Sequence, residues 1–225
     1  MESKVSCLPV YIVIDTSKSM KKVEDVLNKS IETLYDELIM SPRISEFAYV
    51  SILSYNTDAE VVLQMTDLRA MNALPELECA GVTNFSSVLQ LLRERIDEDV
   101  PLLRANGKEV LRPVVFLMTD GHPTDARGYP TDAWKPDYDS LVDKTWGRHP
   151  NFVPFGYGAA TADVLMQVST IPGAAFLAKD GETGDALRKI IPTLLNTLVA
   201  SARDNELRLP VEVDGFIKVT PELVD

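Results

Sequence analysis

The residue types that bind a hard metal ion through oxygen occur first just after the start of the chain. Asp15 follows an unbroken apolar run at residues 10–14, and Ser17 and Ser19 follow on alternate positions. The run predicts a strand buried on both faces, and a helical pattern begins near residue 20. One carboxylate and two hydroxyls therefore lie in a strand-to-helix turn, where open α/β sheets bind ligands. This set suits Mg²⁺ before Ca²⁺, although a helix cap, which needs only one such residue, is the alternative.

Two further stretches repeat this setting. Thr83 lies in the turn Gly-Val-Thr-Asn before a second helical pattern, and Asp120 ends a second apolar run at residues 113–119. If the strands that end in Asp15 and Asp120 are neighbours where the strand order reverses, their carboxylates face each other across the crevice. Thr83 can then add a third hydroxyl. The predicted site has two carboxylates and three hydroxyls, and it leaves a position open for water or for an incoming ligand.

Strand and helix patterns alternate along the chain, which predicts an α/β fold with a mostly parallel sheet and helices on both faces. The predicted strands are residues 10–14, 47–55, 59–65, 113–119, 151–157 and 174–178, and the main predicted helices are 20–40, one after residue 87, 161–169 and 184–203. The turn at residues 56–58 is too short for a crossover, so the third strand is antiparallel and lies at an edge. Residues 207–213 and 216–219, joined by Asp214-Gly215, predict a separate β-hairpin.

Composition narrows the class of protein. Of 225 residues, 45% are hydrophobic, which fits one large globular domain with an appendage. A net charge of −12 argues against binding nucleic acid or anionic membrane surfaces. Cys7 and Cys79 have neither metal-site nor disulfide-framework spacing and predict free thiols. With no apolar run of membrane-spanning length and no signal-peptide core, we expect a cytoplasmic protein.

Taken together, Asp15-Thr-Ser-Lys-Ser19, the Thr83 turn and Thr119-Asp120-Gly121 resemble the metal-ion-dependent adhesion site (MIDAS) of von Willebrand factor type A domains. The resemblance covers residues 5–204, with 205–225 as a hairpin extension. It implies a doubly wound, Rossmann-like sheet of six strands in the order 3-2-1-4-5-6 with the third strand antiparallel. The segments Leu-Pro-Val-Tyr and Val-Phe-Leu-Met-Thr-Asp-Gly further resemble bacterial TerY-like proteins of tellurium-resistance and stress clusters.

The resemblance also implies roles for the site residues. Ser17, Ser19 and Thr83 would contact the ion directly, and Asp15 and Asp120 directly or through water. Mg²⁺ is the expected ion, with Mn²⁺ or Ca²⁺ as alternatives. The open position would receive an Asp or Glu from a protein partner, so the first hypothesis is a non-enzymatic, metal-dependent interaction module.

One residue departs from the motif, and two other functions stay open. Lys18 stands where the motif usually has Gly; we expect its side chain to point into solvent, the alternative being backbone strain or competition with the cation.

Asp15 could instead be the nucleophile of a Mg²⁺-dependent aspartate-based phosphatase, although Ser17 occupies the position of the second acid. The third hypothesis is a metal-independent scaffold, disabled by Lys18, that binds through its C-terminal hairpin by strand addition.

Overall fold

The computed structural model describes residues 6–65, 74–179 and 183–223. The strands are β1 (Ser6–Asp15), β2 (Ala48–Tyr55), β3 (Ala59–Leu63), β4 (Glu109–Val110), β5 (Val114–Thr119), β6 (Asn151–Gly156), β7 (Phe176–Ala178) and β8 (Phe216–Lys218). The helices are α1 (Glu24–Met40), α2 (Pro42–Phe47), α3 (Phe85–Ala105), α4 (Lys135–Val142), α5 (Ala162–Val168) and α6 (Thr183–Asp204), with 3-10 turns at Lys18–Val23 and Pro221–Leu223. None of the helices in these ranges combines the length and the apolar character needed to cross a lipid bilayer.

The strands form one mixed sheet in the order β3-β2-β1-β5-β6-β7-β8, with β4 beside the start of β1. β1 lies in the centre, parallel to β2 on one side and to β5 on the other. β3 is antiparallel to β2, and β8 is antiparallel to β7. This confirms the predicted doubly wound α/β class. The predicted order corresponds to β3-β2-β1-β5-β6-β7, because the short β4 and the added β8 were not among the six predicted strands.

The sheet is covered on both faces because successive residues of β1 point to opposite sides. Ile12 packs into a core with residues of α1, α2 and α6, and Tyr11 packs into a second core with residues of α3 and α4. The Tyr11 hydroxyl donates to buried Asp99 of α3 at 3.0 Å, which satisfies both polar groups. The strand that ends at the candidate site is thereby fixed from both faces.

The C-terminal antiparallel pair is present, but its first strand differs from the expected one. Residues 207–213 form no strand, and β8 pairs instead with β7 at the edge of the main sheet. A lone two-stranded hairpin is marginal in water, whereas an open sheet edge offers an existing ladder of hydrogen bonds. Phe216 of β8 also enters the core, with its ring centroid 5.8 Å from that of Phe155.

Two prolines occupy different positions in their helices. The first predicted helix, residues 20–40, ends where α1 ends, at Met40 before Ser41-Pro42, and Pro42 then begins the short helix α2, since proline is favoured in the first turn of a helix. Pro192 lies inside α6 and does not start it. Of the loop between the predicted strand at residues 59–65 and the Thr83 turn, residues 66–73 lie outside the described residues.

Helix α6 offers a matched test of this packing, because Leu194 is 0% exposed and Val199 on the same helix is 50% exposed. We expect Leu194→Ala to lower the free energy of unfolding by about 2–5 kcal/mol, through lost burial and a residual cavity. Val199→Ala should change it by less than about 1 kcal/mol. Urea denaturation of both variants measures the difference, and equal losses would contradict the described orientation of α6.

Candidate metal centre

The two carboxylates meet because their strands are neighbours. Asp15 is the last residue of β1, and Asp120 follows directly on Thr119, the last residue of β5. The two strands run parallel and in register, so their carboxyl ends reach the same edge of the sheet. Both carboxylates are buried, Asp15 fully and Asp120 to 5% exposure. The sequence prediction that these strands are adjacent at the reversal of strand order is confirmed.

The two serines connect the first turn to Asp120. Ser17 Oγ and Ser19 Oγ are 2.9 Å apart, and the Ser19 hydroxyl donates to Asp120 Oδ1 at 2.9 Å. The backbone N–H of Ser17 donates to Asp15 Oδ1 at 2.9 Å. Because Ser19 donates its single proton to Asp120, it accepts the proton of Ser17 in the bond between the two serines. Ser17 Oγ, Ser19 Oγ and Asp120 Oδ1 therefore form one hydrogen-bonded row of oxygen atoms at this edge of the sheet.

Thr83 reaches the same place from the loop before α3. A Cβ placed on Gly121 would lie 3.6 Å from Thr83 Oγ1, which puts this hydroxyl beside the residue that follows Asp120. The Thr83 N–H donates to Thr124 Oγ1 at 3.1 Å, and the Thr124 N–H donates to the Thr83 carbonyl at 2.8 Å. The five residues predicted from sequence thus converge at one end of the sheet. Their role as metal ligands stays a prediction.

Burial makes the metal-free pair of carboxylates electrostatically unfavourable. The pKa of Asp15 is raised to about 6, first by loss of solvation and then by the charge of Asp120, against hydrogen bonds from Ser17 and Thr119 that lower it. Burial also raises the pKa of Asp120. A bound cation would offset both effects, because it would neutralise part of the negative charge of the two buried carboxylates.

The chemistry of the donor set fits a hard divalent ion. Within the described residues, no three or more His, Cys, Asp or Glu side chains are grouped as a metal site. Two carboxylates and three hydroxyls are oxygen ligands, and such a set suits Mg²⁺, Mn²⁺ or Ca²⁺ rather than ions that prefer sulfur or nitrogen. If the site holds an ion, Asp15, Asp120 and the three hydroxyls are the residues that would hold it.

Lys18 does not obstruct the centre. Its side chain is exposed, as expected from the sequence. In the described part of the chain, Asn205 is the only residue other than glycine with a positive φ, so Lys18 is not forced into the conformation that favours Gly. The 3-10 turn at Lys18–Val23 accommodates the lysine without that strain.

Three residues near the carboxylates were given no role in the site by the sequence prediction, although Thr119 was part of the quoted motif. Thr119 donates to Asp15 Oδ2 at 3.0 Å, and the Tyr55 hydroxyl lies 3.4 Å from the same oxygen. Tyr157, just beyond the end of β6, is also buried near the carboxylates. Thr119 and Tyr55 each end a strand that neighbours β1, so the predicted strand order was the signal that could have found them.

Aromatic residues in and after the loop that follows β5 differ in exposure. Trp134 and Tyr138 are buried in an aromatic cluster, with ring centroids 5.9 Å apart. Tyr129 is 67% exposed. Its loop is held by Asp125, whose Oδ1 accepts the Tyr129 N–H at 2.9 Å, and by Gly128, which packs against Val82 beside Thr83 at φ +86°. The loop that carries Tyr129 therefore packs at Gly128 against Val82, the residue before the predicted ligand Thr83.

Comparison with known proteins identifies the family. The family model for the von Willebrand factor type A domain matches residues 10–192. The chain therefore belongs to the von Willebrand factor type A family. No curated protein sequence matches the chain.

Solved structures share the fold at low identity. Proximal thread matrix protein 1 from the mussel byssus is 15% identical, with a TM-score of 0.60 over 87% of this chain and 48% of its own. A structure of that protein with a zinc-occupied MIDAS motif is 13% identical, with a TM-score of 0.59 over 88% and 49%. The pilus adhesin SpaC from Lactobacillus rhamnosus GG is 12% identical, with a TM-score of 0.65 over 87% and 30%. This chain therefore spans less than half the length of each of these structures, and the likeness concerns the fold.

The raised pKa of Asp15 predicts a pH-dependent metal affinity. A proton and a cation compete for this carboxylate, so Mg²⁺ affinity should fall as the pH drops through about 6 and should be about tenfold lower at pH 5 than at pH 7.5. Without metal, the sign is opposite: Asp15 stabilises the folded state at low pH, and this contribution is lost as the pH rises through 6.

Titration calorimetry at the two pH values measures the affinity, and circular dichroism at pH 5 controls for unfolding. An equal affinity at both pH values would show that ion binding does not require Asp15 to lose a proton.

Proposed function

We propose that this chain is a non-enzymatic, metal-dependent protein-binding module. In this proposal, Asp15, Ser17, Ser19, Thr83 and Asp120 hold one Mg²⁺-type ion, and the ion's open position takes an Asp or Glu carboxylate from a partner protein. The observation that carries the proposal is the hydrogen-bonded row from Ser17 through Ser19 to Asp120, which joins a buried carboxylate to hydroxyl oxygens at the sheet edge. The zinc-occupied MIDAS motif of the mussel protein is additional support.

The charge of the chain would make such binding conditional on the ion. A protein with net charge −12 repels carboxylates in general, and two acids at the site strengthen that repulsion locally. A divalent cation reverses the local sign and supplies a ligand position that a partner carboxylate can fill. Recognition would then be gated by metal, and the repulsion elsewhere would disfavour wrong acidic partners.

The phosphatase alternative has less support. A nucleophile must reach its substrate, but Asp15 is 0% exposed. Its Oδ1 accepts the Ser17 N–H, and its Oδ2 accepts the Thr119 hydroxyl. The scaffold alternative loses its first premise, because Lys18 is exposed and does not have the positive φ that favours Gly. The separate hairpin that it invokes is not formed, since residues 207–213 are not a strand, although β8 ends the described strand order and pairs with β7 on one side only.

The cellular setting is part of the proposal. Cys7 and Cys79 are buried free thiols, which fits a reducing compartment, and we propose a cytoplasmic protein. Residues 5–204 would form the binding domain, and residues 205–225 an extension that completes the sheet edge through β8. The TerY-like sequence features make a bacterial tellurium-resistance or stress-response system the first place to look for the partner.

The metal site is tested by Asp120→Ala. Removing this carboxylate takes away one charge and the acceptor of Ser19, so Mg²⁺ affinity should fall at least about tenfold, as measured by calorimetry. Asp58→Ala is the matched control, because Asp58 is an exposed acid in the β2–β3 turn at the same end of the sheet. Equal affinity in the wild type and Asp120→Ala would refute the site.

The partner step needs its own measurement. Pull-downs with the wild type in Mg²⁺, in chelator, and with Asp120→Ala should capture a partner only in the first condition. A partner that binds equally in all three would contradict ion-bridged recognition even if the ion itself binds.

A further inference from the structure

Tyr157 has a buried hydroxyl without a partner beside the candidate metal centre. The residue is 1% exposed, and within the described residues its hydroxyl makes no hydrogen bond. Buried polar groups are nearly always paired, and an unpaired one lowers stability. Phenylalanine would fill the same space without that loss, so the hydroxyl calls for an explanation.

The backbone places Tyr157 next to Asp120. Its N–H donates to the carbonyl of Thr119 at 3.1 Å, which continues the β5–β6 ladder to the residue before Asp120. A Cβ on the following residue, Gly158, would lie 3.3 Å from Asp120 Cβ. Tyr157 is thus held at the sheet edge where the two carboxylates meet, and its neighbour leaves no room for displacement.

Tyr157 and Tyr55 pack into the cores on opposite faces of the sheet. Tyr157 belongs to the core that contains Met20 and Ile14, whereas Tyr55 belongs to the core that contains Phe85. The Tyr55 hydroxyl lies 3.4 Å from Asp15 Oδ2, so it has a hydrogen-bond partner in the metal-free protein. The Tyr157 hydroxyl has none among the described residues.

The ionisable groups that act on Tyr157 keep it neutral. Burial and the charges of Asp15, Asp120 and Cys79 all raise its pKa well above the ordinary value for tyrosine. A neutral phenol can both accept and donate a hydrogen bond. Mg²⁺ usually retains several waters, and these donate hydrogen bonds strongly because the ion polarises them.

We propose that Tyr157 is a positioning residue of the metal centre, and that its hydroxyl finds its hydrogen-bond partner among the waters of the occupied site. The inference rests on the proposed function, since it requires that the centre binds an ion. Under this proposal, the Tyr157 hydroxyl lowers the stability of the metal-free protein and increases the affinity for the ion. A residue that only fills the core would show neither effect.

The test is Tyr157→Phe, with Mg²⁺ alone as the probe. The variant should raise the melting temperature of the metal-free protein by about 2–4 °C, because the unpaired hydroxyl is gone. It should lower Mg²⁺ affinity about tenfold by calorimetry, as is typical when an outer partner of a metal site is removed.

Tyr138→Phe is the matched control. The Tyr138 hydroxyl is also buried but donates to the Val168 carbonyl at 2.8 Å, so its removal should lower the metal-free melting temperature and leave Mg²⁺ affinity unchanged. If wild type binds Mg²⁺ and Tyr157→Phe binds it equally well, this inference fails and the proposed function stands. A metal-free melting temperature lowered as in Tyr138→Phe also overturns it, and a wild type that binds no Mg²⁺ overturns both proposals.

Discussion

The electrostatic interaction between two carboxylates at one buried edge of the sheet governs the rest of the site. Asp15 and Asp120 lose solvation and repel each other, and both effects favour the protonated acid. The fold offsets the repulsion with oriented donors, chiefly the N–H of Ser17 and the hydroxyls of Ser19 and Thr119. These donors stabilise negative charge without neutralising it. A bound cation would neutralise part of that charge, which is the electrostatic basis of the proposed metal site.

The architecture explains why the acids cannot move apart. β1 and β5 are neighbouring parallel strands with no exposed face, and their register fixes the distance between the residues that follow them. Side chains of β1 enter two separate cores, so sliding of the strand would disrupt both. Strand adjacency at a reversal of order creates the crevice in this class of sheet. The packing of the two cores therefore keeps the carboxylates close together despite their electrostatic repulsion.

Much of this could be predicted from the sequence, because the signals were local. A buried run that ends in Asp15, a second that ends in Asp120, and a turn at Thr83 gave the five candidate residues, and the order of the strands came from the family resemblance that these residues carry. Strands with weak local patterns could not be placed in this way. β8 has three residues, and its pairing with β7 depends on the open edge left by the sheet, which no pattern within residues 205–225 encodes. The short helix α2 was hidden because proline can either end a helix or begin one.

The site residues to which the sequence prediction gave no role were overlooked for a different reason. Tyr55, Thr119 and Tyr157 have ordinary identities for buried strand ends, and only the register between strands places them beside Asp15. Aromatic residues at such positions usually contribute to the core through their rings. What separates Tyr55 from Tyr157 is hydrogen bonding, because one hydroxyl has a carboxylate partner and the other has none in the described residues. Under the role proposed for Tyr157, two tyrosines with similar burial would stabilise different states of the centre, the metal-free one through Tyr55 and the ion-bound one through Tyr157.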